Sequence, residues 1–373
     1  MISKIISLFF TFLIISILSC EKDLTAIQGT EDYDWPRSDP QAQGIDTLIL
    51  DQAFTAARNE TFSYSLLIVR NGYLVREEYF HGHNPKTTSN IMSVSKSFIS
   101  ALVGIALREG FIDSLEQKML DFFPEYNRPG LDPRKQDITL RHLLQMRAGF
   151  DSAIEDYDVN WRNWVNSQDW VKHIIEWPLS YNPGAHFSYI TAETHLLAVI
   201  LAKATGMNAL AFAKSYLFEP LQISISRWEK DPQGYYTGGM NMYITPRNLA
   251  RFGELYLQLG EVDGQQIIPE AWVRASHTYW STLSNPWGDL DQIGYGYQWW
   301  LGKIRQKQVY MALGYGGQFI LIFPEYDMIV VATSNPDFYP DTADLHEREV
   351  LAIVANYIVP AVSPGSMAGV FQN

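Results

Sequence analysis

Ser93 and Lys96 stand three residues apart in the run Ser93-Val94-Ser95-Lys96, and an apolar helical segment follows at once. Residues at this spacing share one face of an α-helix. With Ser93 as the first helical residue, both side chains point into one cleft. A serine hydroxyl is inert at neutral pH and needs a base, which an amine one turn away supplies. The helix N-terminus then favours the developing negative charge. Acyl transfer through serine is the chemistry this pair suits. The four-residue spacing is not specific by itself, because Ser19-Cys20-Glu21-Lys22 also fits it.

The elements that must position the pair can be read from periodicity. Thr47 to Asn59 carries apolar residues at helical spacing. Tyr64 to Phe80 reads as a hairpin turning at Asn71-Gly72. Val94, Phe98, Ala101, Leu102, Ile105 and Ala106 mark one buried helix face that Gly110 ends. Helices are predicted over Ile138 to Met146, Trp161 to Ile175, Thr194 to Ala204, Ala209 to Leu217 and Pro246 to Leu259. Strands return at Gly296 to Leu301, Gln308 to Leu313, Phe319 to Phe323 and Met328 to Thr333, and a last helix runs from Ala343 to Tyr357. Sheet segments thus flank a helical middle. The expected fold is α+β, an antiparallel sheet built from both chain ends, flanked by helices, with a mostly helical lobe inserted. The sheet lobe takes 41–90 and 291–360, the helical lobe 91–290, and 361–373 form a tail.

The 373 residues are 47% hydrophobic and 18% charged, a composition that builds a core. A net charge of -13 argues against nucleic acid as the main partner, since phosphate binding needs clustered Lys and Arg. Lys4 and the apolar run Ile5 to Leu18 have the make-up of an export signal, too short for a stable span. Cys20, the one cysteine, closes that run after Ser19 and looks like the lipidated residue of a bacterial lipoprotein. Residues 1–19 are then a signal peptide, and 20–40 a flexible tether to a membrane on the exported side, periplasmic or cell-surface.

Further stretches complete a pattern: Ile138-Thr-Leu-Arg-His-Leu-Leu144, Pro183-Gly-Ala-His-Phe-Ser-Tyr189, Gly238-Gly-Met240 with Thr245-Pro-Arg247, and Leu313-Gly-Tyr-Gly-Gly-Gln318. With Ser93-Val-Ser-Lys96, their order resembles the serine β-lactamase and penicillin-binding-protein superfamily, in particular class C-like esterases, D-aminopeptidases and 6-aminohexanoate-oligomer hydrolases. The resemblance implies a serine hydrolase that cleaves an ester or amide through an acyl-enzyme on Ser93, without metal or cofactor. Lys96 and Tyr189 would move the proton as one coupled unit. The backbone N–H groups of Ser93 and Gln318 would form the oxyanion hole. Thr191, Tyr315, Gly316 and Gly317 would contact substrate. Two positions depart from the family. Its Tyr-x-Asn reads Tyr189-Ile190-Thr191, and its third motif, often Lys-Thr-Gly or His-x-Gly, reads Tyr315-Gly316-Gly317. Neutral Tyr315 removes the cation that would hold a substrate carboxylate, which weighs against the alternative of a true β-lactamase or D,D-peptidase. A non-catalytic binding or sensor lipoprotein on this scaffold is the other alternative.

The remaining candidates are read conservatively. The eight histidines show no metal spacing of the His-x-x-x-His type. His142 reads as structural, and His186 and His195, which flank Tyr189, as surface or core. Trp161, Trp164, Trp287, Trp299 and Trp300 could wall an apolar acyl pocket. Gly238-Gly239 could equally support the cleft or form an ordinary loop.

Overall fold

The β-rich segments at the two ends of the chain pair with each other. The computed structural model describes residues 32–150, 157–337 and 340–362. Its main sheet contains β1 (Ser63–Arg70), β2 (Tyr73–Tyr79), β3 (Ser281–Thr282), β4 (Leu290–Tyr295), β5 (Trp300–Ile304), β6 (Lys307–Gly314), β7 (Gln318–Phe323) and β8 (Met328–Ser334). The order is β2-β1-β8-β7-β6-β5-β4-β3. Strand β1 therefore lies beside β8, antiparallel, from Arg70↔Met328 to Ser63↔Ser334. The turn between β1 and β2 holds Asn71 at φ 50° and Gly72 at φ 77°, as the Asn-Gly pair requires.

The central strands are covered on both faces, which is why they read as unbroken apolar runs. Leu67, Val69, Ile320, Ile322, Ile329 and Val331 face one core, and Leu66, Ile68, Phe319, Leu321, Met328 and Val330 the other. The second core is closed by α1 (Thr47–Asn59), whose N-cap Asp46 accepts from the N–H groups of Leu48 and Ile49. The first core is closed by the helical lobe. Its helices are α2 (Ser95–Arg108), α3 (Leu140–Leu144), α4 (Tyr157–Val165), α5 (Trp170–Glu176), α6 (Thr191–Thr205), α7 (Ala209–Ala213), α8 (Pro246–Leu257) and α9 (Glu270–Ser276), and α10 (Pro340–Ile353) follows the sheet. The α+β architecture with an inserted helical lobe is the one expected.

Four local expectations need correction. The α-helix begins at Ser95, and Ser93 lies in the 3₁₀ turn Met92–Val94 that precedes it. The single helix expected over Trp161 to Ile175 is two, α4 and α5. Ser167 bonds back to the Trp164 carbonyl and Asp169 caps α5 through the Lys172 N–H, so short polar side chains break the run. Gly296 to Trp299 is a turn, with Gln298 at φ 63°, and the strand expected there begins only at Trp300. Residues 32–40, assigned to a flexible tether, are docked on the body. Trp35 is buried and donates its indole N–H to the Arg247 carbonyl, and the Arg251 guanidinium lies 3.6 Å above the Tyr33 ring. Two aromatics within that polar run supply the apolar area that holds it down. Cys20 and the export signal lie outside the described residues.

Helix α2 passes under α9 with no room to spare. A Cβ on Gly104 would fall 2.6 Å from the Trp272 ring. Gly104→Ala is expected to destabilise the protein by about 1–3 kcal/mol through overpacking. Urea denaturation should show a lower midpoint at unchanged slope; an unchanged midpoint would mean that α9 shifts freely.

Candidate active site

Ser93 sits where a short strand hands over to α2. Ser89–Asn90 pairs with Met242–Ile244, and the chain then turns through Met92 at φ 47°. A non-glycine residue held in the left-handed region costs about 1–3 kcal/mol and persists only where its surroundings enforce it. Here the Met92 N–H donates to Asn90 Oδ1 and its carbonyl accepts from Ser95 Oγ. The turn aims Ser93 into a cavity of about 870 Å³ also lined by Tyr189, Thr191, Gly239 and Tyr315.

Lys96 is 1% exposed. Its Nζ lies 2.6 Å from Ser93 Oγ, 3.0 Å from Thr191 Oγ1 and 3.1 Å from the Gly239 carbonyl. None of the ion pairs among the described residues includes it. Burial without a counter-charge pushes its pKa well below that of free lysine. A neutral amine donates two hydrogens and keeps one lone pair. Given to Thr191 and Gly239, those two hydrogens leave the lone pair directed at the Ser93 hydroxyl. The Tyr189 ring centroid lies 4.9 Å from the same Nζ, in a nest with Trp300 and Tyr295.

The β6–β7 hairpin closes the other side. Gly314 pairs in register with Gln318, and an ideal Cβ on Gly314 would lie 3.2 Å from the Ser93 backbone nitrogen. The hairpin edge and the start of α2 thus meet at Ser93. This brings the Gln318 and Ser93 backbones to one place. The Gln318 side chain grips both backbone groups of Ser334 and fixes the start of β7. Such rigid, backbone-borne donors are the kind that stabilise an oxyanion without reorganisation.

The structure therefore gathers Ser93, Tyr189, Thr191 and Tyr315 on one cavity, with the Lys96 amine against Ser93 Oγ and the Gly314–Gln318 hairpin edge against the Ser93 backbone. Thr191 lines the cavity, and its hydroxyl also accepts from Lys96. Gly316 and Gly317, expected to allow substrate approach, instead fit the hairpin turn against its own chain. Their φ values are 78° and 98°, and added Cβ atoms would meet the Asn335 carbonyl at 3.1 Å and Ser334 Oγ at 2.9 Å. Trp161, Trp287 and Trp300 line the cavity, while Trp164 and Trp299 are core. His142 caps its own helix through Thr139, and His186 stacks on Tyr181.

Sequence reading missed how Gly239 is held. Gly238 N–H donates to His195 Nδ1, so the His195 proton is on Nε2, which points at Asp231 Oδ2 at 3.0 Å. Both side chains are fully buried. Asp231 is itself fixed by the N–H groups of Gln233 and Tyr235. A Cβ on Gly238 would fall 2.3 Å from the Thr194 carbonyl, and one on Gly239 3.1 Å from Lys96 Nζ. Both glycines are therefore required to bring a carbonyl to the amine. The adjacent glycines between a helical run and the next motif were the available signal.

Known proteins resemble this chain in sequence and in fold. The family profile described as Beta-lactamase matches residues 50–355. The 6-aminohexanoate-dimer hydrolase of Paenarthrobacter ureafaciens is 26% identical over 307 residues, covering 77% of this chain and 76% of that protein. A Bacillus anthracis structure described as a candidate 6-aminohexanoate-dimer hydrolase superposes with TM-score 0.67 at 21% identity, over 89% of this chain and 88% of that one. The D-stereospecific amidohydrolase from Streptomyces sp. superposes with TM-score 0.62 at 17% identity, over 82% and 98%.

The three contacts of Lys96 Nζ can be separated by substitution. Thr191→Val removes one neutral acceptor and is expected to slow labelling of Ser93 by a fluorophosphonate roughly tenfold, about the worth of one hydrogen bond to such a group. Gly239→Ala should slow it further, because the added methyl displaces the amine itself. Equal labelling rates in all three proteins would show that Lys96 does not depend on these contacts.

Proposed function

This chain belongs to the beta-lactamase family, and from that premise we propose that it is a hydrolase that cleaves an ester or amide through an acyl-enzyme on Ser93. The observation that carries the reading is the 2.6 Å contact between Ser93 Oγ and a buried Lys96 amine. Lys96 takes the hydroxyl proton as Ser93 Oγ bonds to the substrate carbonyl carbon. The carbonyl oxygen becomes an oxyanion held by the Ser93 and Gln318 N–H groups. As the tetrahedral adduct collapses, Tyr189 and Lys96 pass that proton to the leaving alcohol or amine. Water then adds to the acyl-serine, gives a proton back through the same pair and releases the acid.

The apolar cavity and the neutral Tyr315 favour ester or amide substrates without a carboxylate over penicillins. The relatives named for 6-aminohexanoate-dimer hydrolysis and D-stereospecific amide hydrolysis support an amide among them. Ser93→Ala is expected to abolish turnover of p-nitrophenyl esters while near-UV circular dichroism is unchanged; retained turnover would refute Ser93 as nucleophile.

The pH dependence follows from the direction of the Lys96 shift. Its folded pKa is depressed, so the neutral base persists to lower pH than free lysine allows. Activity is present above that depressed pKa and lost as pH falls through it. A kcat/KM profile with a single acid limb, lying below the range of free lysine, is expected. A limb near the ordinary lysine value of about 10.4 would rule out a neutral Lys96.

We place the enzyme on a membrane of the exported side through a lipid on Cys20. Cys20→Ala should move it from the membrane to the soluble fraction, and continued membrane retention would refute that anchor.

A further inference from the structure

The described residues that line the cavity of Ser93 bring charge of only one sign. Its walls are largely apolar and aromatic, and among the described residues its ionisable lining groups outside the Ser93 end are Asp344, Glu347 and the phenol of Tyr315, with neither lysine nor arginine. Asp344 is already engaged. Its carboxylate accepts from Arg348 Nε at 2.7 Å and from the Trp287 indole N–H at 2.8 Å. Glu347 is different. Among the described residues it accepts one hydrogen bond, from the Gly316 N–H at 3.0 Å, and joins no ion pair. The charged groups of α10 that act on it are Asp344 and Arg348, which satisfy each other. Burial raises the Glu347 carboxyl to about 7, the behaviour of an acid that has left water without gaining a counter-charge.

We propose that Glu347 forms a cation subsite in the Ser93 cavity, selecting substrates that carry a protonated amine and rejecting those that carry a carboxylate. The inference rests on the hydrolase reading for its meaning as substrate selection. Position supports it. Glu347 is tied to Gly316, two residues before Gln318, so the carboxylate stands at the same hairpin whose edge meets Ser93. Aromatic faces of Trp287, Trp300 and Tyr315 in the same lining add the surface on which an alkylammonium packs well. An ammonium bound there supplies the missing counter-charge in a poorly hydrated site, whereas a carboxylate meets like charge with no lysine or arginine to offset it.

A purely structural role for Glu347, holding the Gly316 turn, is separable from this one. Glutamine can accept the same N–H bond but has no charge. Binding of 4-phenylbutylamine, 4-phenylbutanol and 4-phenylbutanoate to the Ser93→Ala protein would be measured by calorimetry at pH 8. The amine is expected to bind about tenfold or more tighter than the alcohol, and the carboxylate weakest. Glu347→Gln in that background should remove the advantage of the amine over the alcohol, and Glu347→Arg should reverse the order of amine and carboxylate. Equal affinities in the starting protein, or a Glu347→Gln change that weakens all three alike, would overturn the subsite. Fluorophosphonate labelling of the wild-type protein reports separately on the hydrolase reading. Unlabelled Ser93 with amine selectivity intact would sink the hydrolase and leave the subsite standing; labelled Ser93 without selectivity would do the reverse.

Discussion

A primary amine held out of water with no anion beside it is the constraint around which this site is built. Lys96 is costly to bury as an ammonium, and the depressed pKa is how the fold accommodates it. Neutrality alone would leave the amine disordered among apolar neighbours. Thr191 Oγ1 and the Gly239 carbonyl give its hydrogens fixed partners, and Ser93 Oγ takes the remaining direction. Each of those partners then has to be immobile. Thr191 is the first residue of α6, and Ser93 is locked in a strained turn against α2.

Gly239 shows how far the requirement spreads. Its carbonyl reaches Lys96 only because two successive residues lack side chains, one pressed on the backbone of α6 and the other on the lysine itself. The turn is then pinned through His195 and Asp231, a fully buried pair whose geometry fixes the histidine tautomer. Trp228 and Thr237 add side-chain bonds across the same loop, from the Trp228 indole to the Thr237 carbonyl and from Thr237 Oγ1 to the Met240 carbonyl. His195 and Asp231 touch no cavity surface; they position the groups that do.

The fold was largely legible because its signals are periodic. Helical spacing marked α1 to its exact ends, and alternation with Asn71-Gly72 marked the first hairpin. Where local polar side chains competed with a helix, as at Ser167 and Asp169, the periodicity carried through a real break and misled. The candidate site was legible where residue type carries chemistry, at Ser93, Lys96 and Tyr189, which the fold brings together. It was not legible at His195, Asp231 and Glu347. These act through contacts 36 residues apart in one case and between a hairpin and the last helix in the other. Sequence spacing holds no trace of such pairings. The Trp residues illustrate the same limit, since Trp299 and Trp300 are adjacent in the chain yet one is core and the other lines the cavity.

The two ends of the cavity answer one electrostatic problem in opposite ways. At Ser93 the charged form is avoided: burial leaves the amine neutral, and neutral acceptors orient it. At Glu347 burial raises the carboxyl only to about 7, so the charged form stays accessible and its stability depends on what enters the cavity. A group in that condition responds to a ligand more than a fully paired one does, because the counter-charge is still to be gained. Replacing the cation expected of the third motif by neutral Tyr315, with Glu347 bonded to the next residue, therefore does more than remove a carboxylate clamp. It reverses the sign of the potential a substrate meets there while leaving the serine and its base untouched.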